Sequence, residues 1–152
     1  MFNIKNIIVP TDFSKLSQSA FDYAKDLAEK MESTIHIIYV LEKTPPFLAA
    51  KSLDVSEEEL MKSMEKEADK HLSKIANLFM EDSSVKIVKV LRKGIDYEEI
   101  VNYAKEINAD LIVLATHGRT GILHTLLGSV AEKVIRYSKC PVLVIKSIED
   151  EM

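Results

Sequence analysis

With 152 residues, 47% of them apolar and 29% charged, the chain has the make-up of one globular domain that can bury a full core without a disulfide or metal staple. A net charge of −4 with no basic stripe argues against nucleic acid as a partner. Cys140 is the only cysteine, Met1-Phe2-Asn3-Ile4-Lys5-Asn6 carries no signal-peptide pattern, and no apolar run nears the roughly 20 residues that span a bilayer; a cytoplasmic protein with no membrane partner is therefore expected.

Taken in chain order, a first strand is expected over residues 4–9. It runs into Pro10-Thr11-Asp12-Phe13-Ser14, where Pro10 ends the strand and Asp12 or Ser14 caps the next helix. Asp12 could equally accept hydrogen bonds from a ligand amine or ribose hydroxyl. Leu16, Ala20, Ala24, Leu27, Ala28 and Met31 then mark one apolar helix face. A second strand over 34–40 ends at Tyr39-Val40-Leu41. Residues 42–55, with Pro45-Pro46, form a stretch long enough to be functional or mobile.

Ser56-Glu57-Glu58-Glu59 reads as a capping box, and Leu60, Met64, Ala68, Leu72, Ile75 and Phe79 continue the helix behind it. A third strand is expected over 85–91. Asp96-Tyr97-Glu98-Glu99 opens a helix in the same manner, with Ile100, Val101, Ala104 and Ile107 inward. A fourth strand covers 110–115. Ser129-Val130-Ala131-Glu132 begins the last helix, with Val130, Val134 and Ile135 inward, and a fifth strand covers 141–146. Strands one, four and five contain continuous apolar runs, the mark of burial on both faces. Strict alternation of strand and helix implies right-handed crossovers and a doubly wound α/β parallel sheet with helices on both faces, as one domain over residues 1–152.

In such sheets ligands bind at the carboxyl ends of strands, where the strand order reverses. Three of the four glycines lie in Gly118-Arg119-Thr120-Gly121-Ile122-Leu123-His124-Thr125-Leu126-Leu127-Gly128-Ser129. A strand leading through a glycine-bearing loop to a helix at Gly128-Ser129 offers backbone N–H groups to a phosphate. The same residues have a purely structural reading. Ser129 and Glu132 fit a capping box, and Gly128 supplies close approach or a positive φ. Arg119 either neutralises a phosphate or is solvated. Neither G-x-x-x-x-G-K-[ST] nor G-x-G-x-x-G is present, which excludes a Walker-type hydrolase and a typical dinucleotide fold. His36 and His71 fall within strand and helix patterns and read as structural. The four histidines have no zinc spacing, Cys140 reads as a small packed side chain, and no nucleophilic set assembles. Leu91-Arg92-Lys93-Gly94 stands where a phosphoacceptor domain would place its Asp.

Together, Ile7-Ile8-Val9-Pro10-Thr11-Asp12-Phe13-Ser14, Ala115-Thr116-His117-Gly118-Arg119-Thr120-Gly121, Leu127-Gly128-Ser129-Val130-Ala131-Glu132 and Cys140-Pro141-Val142-Leu143-Val144-Ile145 resemble the universal stress protein family over the whole chain. The resemblance implies a five-stranded parallel sheet of order 3-2-1-4-5 and a homodimer. The family's ATP-binding branch has Gly-x-x-Gly, nine residues, then Gly-[Ser/Thr]. Gly118, nine residues and Gly128-Ser129 match, whereas Ala115 replaces the first glycine. By this resemblance Pro10, Thr11 and Asp12 line the adenosine end and Val40 meets the adenine through its backbone. Ala115 and Gly118 face ribose and phosphates, and Gly128, Ser129 and Val130 hold the phosphates, with Arg119 the obvious cation of the loop. ATP with a bridging divalent ion, Mg or Mn, is the implied ligand.

An apolar last strand, Val142 to Ile145, at a sheet edge invites pairing with its own copy. No base stands placed to activate water, so the expectation is a dimeric stress-response module that holds ATP, with very slow hydrolysis at most. The alternative is a dimeric interaction protein of the same fold without nucleotide.

Overall fold

The computed structural model describes residues 3–42, 56–116 and 127–146. Its elements, in chain order, are β1 (Asn6–Pro10), α1 (Lys15–Met31), β2 (Thr34–Leu41), α2 (Glu57–Met80), β3 (Lys86–Lys93), α3 (Asp96–Glu106), β4 (Leu111–Ala115), α4 (Ser129–Tyr137) and β5 (Val142–Ile145). All strand pairs are parallel, in the order β3-β2-β1-β4-β5. This is the expected doubly wound α/β sheet.

The continuous apolar runs are explained by two covered faces. Ile7 and Val9 of β1 pack with Ala20, Phe21 and Ala24 of α1 and Leu72 and Ile75 of α2. Ile8, between them, points to the other layer, with Ile100 and Tyr103 of α3 and Ala131 and Val134 of α4. β5 departs from this pattern. It lies at the sheet edge, and Leu143 is 40% exposed. Asp110 closes the amino-terminal side of the sheet by accepting at Oδ2 from the amides of Lys5 (2.8 Å) and Asn6 (2.9 Å).

Two expected caps are corrected. Ser56 does cap α2, its side chain accepting from Glu59 N. In α3, however, the cap position is Ile95, which makes no side-chain cap bond, while Asp96 is already helical and accepts from Tyr97 N. In α4 the cap is Gly128, and Ser129 is the first helical residue. A Ser-x-x-Glu spacing looks the same when the serine lies one residue inside the helix, but its hydroxyl then no longer caps a first-turn amide. Helix faces also shift. Phe21 and Tyr103 join the core, whereas Ile135 of α4 is 44% exposed rather than inward.

His36 has the structural role its place in β2 suggested. It is buried, with Nδ1 2.7 Å from the Tyr103 hydroxyl and Nε2 3.2 Å from Asn6 Oδ1. Since Asn6 Oδ1 can only accept, Nε2 carries the proton and Tyr103 donates to Nδ1, the neutral tautomer. Burial, aided by the charge of Lys86, pushes the imidazole pKa below its ordinary value. The unfolded chain therefore binds this proton more readily than the folded one. The contribution to stability is complete above about pH 6.5, the ordinary histidine value, and is lost as the pH falls from there toward the depressed folded value. Urea midpoints compared at pH 7.5 and 5 are expected to fall more steeply for the wild type than for His36→Gln; equal slopes would refute this linkage.

Candidate functional site

β1 is flanked by β2 on one side and β4 on the other, so the order reverses between β1 and β4. The crevice outside the carboxyl ends of these strands is where doubly wound sheets take ligands. The structure brings most of the residues singled out from sequence to this end of the sheet.

Pro10 ends β1, opposite Ile38 of β2. Thr11 follows, buried, its amide donating to Ile38 O at 2.9 Å. Its hydroxyl accepts from Phe13 N at 3.0 Å and lies 3.3 Å from Ser17 Oγ. Asp12 is half-buried and accepts from Ser14 N through Oδ1 at 2.9 Å. Of the two candidate caps for α1, Ser14 is the one used: its side chain accepts from Ser17 N at 3.1 Å. Asp12 is thus not needed as the cap. Val40 lies near the end of β2, on the α3–α4 side of the sheet.

Ala115 is the last residue of β4 and is buried. As a strand residue it lies outside the positive-φ set, so the methyl in place of the motif glycine carries no backbone strain. Thr116 joins three elements. Its amide donates to Ile145 O of β5 at 2.9 Å, and its carbonyl accepts from Gly128 N at 2.7 Å. Its hydroxyl is buried and has no hydrogen-bond partner among the described residues. Within the motif Ala115-Thr116-His117 no sequence signal marks this hydroxyl, because its satisfaction is a property of packing rather than of pattern. Gly118 and Arg119 lie outside the described residues.

At α4, Gly128 has φ −69° and ψ 160°, ordinary extended backbone. Positive φ is therefore not the reason for this glycine. Its N–H is engaged by Thr116. The first intrahelical bond runs from Glu132 N to Gly128 O at 3.0 Å. The amides of Ser129, Val130 and Ala131 precede that bond, and Gly128 brings no side chain to cap them. Such amides, at the positive end of the helix dipole, attract an anion. Ser129 is exposed and Val130 half-buried. Among the described residues no group of His, Cys, Asp or Glu could hold a metal ion by itself, and no helix is long and apolar enough to cross a membrane.

The fold and these loops define a doubly wound α/β protein whose strand order reverses between β1 and β4. The chain belongs to the universal stress protein family, whose model matches residues 3–146. It is 39% identical over 148 residues to universal stress protein MJ0531 of Methanocaldococcus jannaschii, covering 97% of this chain and 85% of that one. Against the solved structure of MJ0577, from the same organism, the TM-score is 0.83 at 31% identity, covering 95% of this chain and 97% of the other. A universal stress protein crystallised in complex with cAMP shares the fold, with a TM-score of 0.68 at 24% identity over 95% of this chain and 98% of that one.

Proposed function

We propose that the chain is a cytoplasmic nucleotide-holding module of the stress response, and that its ligand is ATP. The observation that carries this reading is the start of α4. Gly128 brings no side chain to cap the first amides of α4, and its N–H donates at 2.7 Å to the carbonyl of Thr116, whose buried hydroxyl has no hydrogen-bond partner among the described residues. An orphaned buried hydroxyl is costly unless something completes it. That another protein of this fold is found with cAMP supports an adenine nucleotide as the class.

In this reading the amides of Ser129 and Val130 and the Ser129 hydroxyl take the phosphates, and Gly128 lets them approach. Pro10, Thr11, Asp12 and the Val40 backbone form the adenosine end, with Ala115 and Gly118 along the ribose and phosphates. Arg119 supplies positive charge, and Mg or Mn bridges the phosphate oxygens. No side chain of the described loops is placed to activate water, so bound ATP persists; steady turnover above about one per second, ordinary for an enzyme, would contradict that. Calorimetric titration of ligand-stripped protein with ATP and magnesium is expected to give saturable heat. No heat from folded protein would overturn the nucleotide reading in favour of a dimeric interaction protein with an empty crevice.

The same reading makes the protein a homodimer through Val142–Ile145. Among the described residues this strand has one unpaired edge, and Leu143 in it is exposed; antiparallel pairing with a second copy satisfies the backbone and buries the side chain. Sedimentation at micromolar concentration is expected to give twice the 17.2 kDa chain mass. A monomer mass would refute the pairing.

A further inference from the structure

The turn between β1 and α1 holds a bulky residue where sterics disfavour one. Phe13 has φ 67°, the left-handed region, in which a large side chain is an outlier. Such a conformation persists only where the surroundings over-determine it. They do so here from three directions. The Phe13 amide donates to Thr11 Oγ1 at 3.0 Å. The ring stacks on Tyr39 of β2, with centroids 4.3 Å apart and planes 27° from parallel. It also meets the His71 ring of α2 at 5.0 Å. The next amide, that of Ser14, donates back to Asp12 Oδ1 at 2.9 Å. Capping α1 asks only for an extended Ser14, which φ −75° and ψ 157° supply; it does not ask for an aromatic ring one residue earlier.

We propose that Phe13 is a positioning residue: its contacts with Tyr39 and His71 hold the turn in the left-handed shape that fixes Asp12 at the crevice, and through His71 they make α2 part of the nucleotide site. The effect on ligand rests on the nucleotide reading above; the effect on the turn does not. His71 is held in turn by Glu67, 3.2 Å from its Nε2 one helical turn earlier, so its ring is presented to Phe13 from an ordered helix face.

The test combines titration with ATP and magnesium, hydrogen exchange of the Ser14 amide by NMR, and thermal melting. It compares the wild type with Phe13→Gly, Phe13→Tyr, His71→Ala and His71→Phe. Glycine accepts φ 67° without strain, so Phe13→Gly removes the ring and frees the backbone without adding steric strain. Phe13→Gly is expected to weaken ATP binding about ten-fold, in line with the worth of an aromatic pair together with the freedom returned to the chain, and to speed Ser14 exchange. His71→Ala should move both readouts in the same direction by less, and the two ring-preserving variants should leave both near wild type. Unchanged Ser14 exchange in Phe13→Gly and His71→Ala would overturn the proposal. So would a lowered melting temperature with unchanged ATP affinity, which is the pattern of a residue that serves stability only. Should the wild type bind no ATP, the nucleotide reading fails separately, and Ser14 exchange still decides whether the rings hold the turn.

Discussion

Changing Gly128 to Val together with Ser129 to Ala is expected to weaken ATP binding at least about 100-fold, equivalent to some 3 kcal/mol, while leaving the fold intact. The backbone at Gly128 is extended, with φ −69° and ψ 160°, so valine fits it without strain. What valine removes is space, because in the proposed site phosphate oxygens approach the amides of Ser129 and Val130 past Gly128, which has no side chain. Loss of the Ser129 hydroxyl takes away the hydrogen bond that the proposed site gives to a phosphate oxygen, about 1.5–3 kcal/mol for a charged acceptor. A modest stability cost is expected as well, since valine is a poorer helix cap than glycine. Titration calorimetry reads the affinity, and a melt of the same sample shows that the fold survives. Affinity within a few-fold of wild type would show that the phosphates do not lie at α4.

Phe21→Ala is the substitution expected to cost most in stability, about 3–5 kcal/mol, as for other large-to-small changes of buried aromatic residues. Phe21 is 1% exposed and stacks on Phe79 at 4.9 Å between ring centroids. It therefore ties α1 to α2 in the layer over Ile7 and Val9. Against a total stability of about 5–15 kcal/mol for a typical domain, this is a large fraction. Urea unfolding measures it; a loss below about 1 kcal/mol would mean that the layer closes over the gap.

The same residue shows where sequence reasoning runs out. The apolar face drawn through Leu16, Ala20, Ala24, Leu27 and Ala28 lies beside Phe21, yet Leu16 and Leu27 are only half-buried while Ser17 and Phe21 are buried. The stripe that meets the sheet is rotated from the one alternation suggests, because packing against both the strands and α2 selects it. The strands were easier to read. Apolar runs such as Ile7-Ile8-Val9 need cover on both faces, and only a sheet between helix layers supplies it. Their order came from the family resemblance, since periodicity carries no information on which strand lies beside which.

At the site, Pro10, Thr11, Asp12 and the start of α4 were legible because proline, Asx and glycine-serine signals are local. The conformation of Phe13 was not, because a large side chain is the last choice for left-handed backbone. The orphaned Thr116 hydroxyl was equally hidden, since it depends on what fails to surround it.

The strand order has a further consequence, for the chain as it is being made. β1 is the middle strand and is the first of the five to be synthesised, and one of its neighbours, β4, follows only about 100 residues later. The bond from Asn6 N to Asp110 Oδ2 spans 104 positions. Until the ribosome has released Leu111–Ala115, a nascent sheet of β1, β2 and β3 has β1 as an open hydrogen-bonding edge, with Ile8 lacking its neighbour Ile112. Closing so distant a pair is slow relative to local contacts, and unpaired edges are where chains associate wrongly. The centre of the finished domain is thus an exposed edge during synthesis, and completion of β4 is the step that covers it.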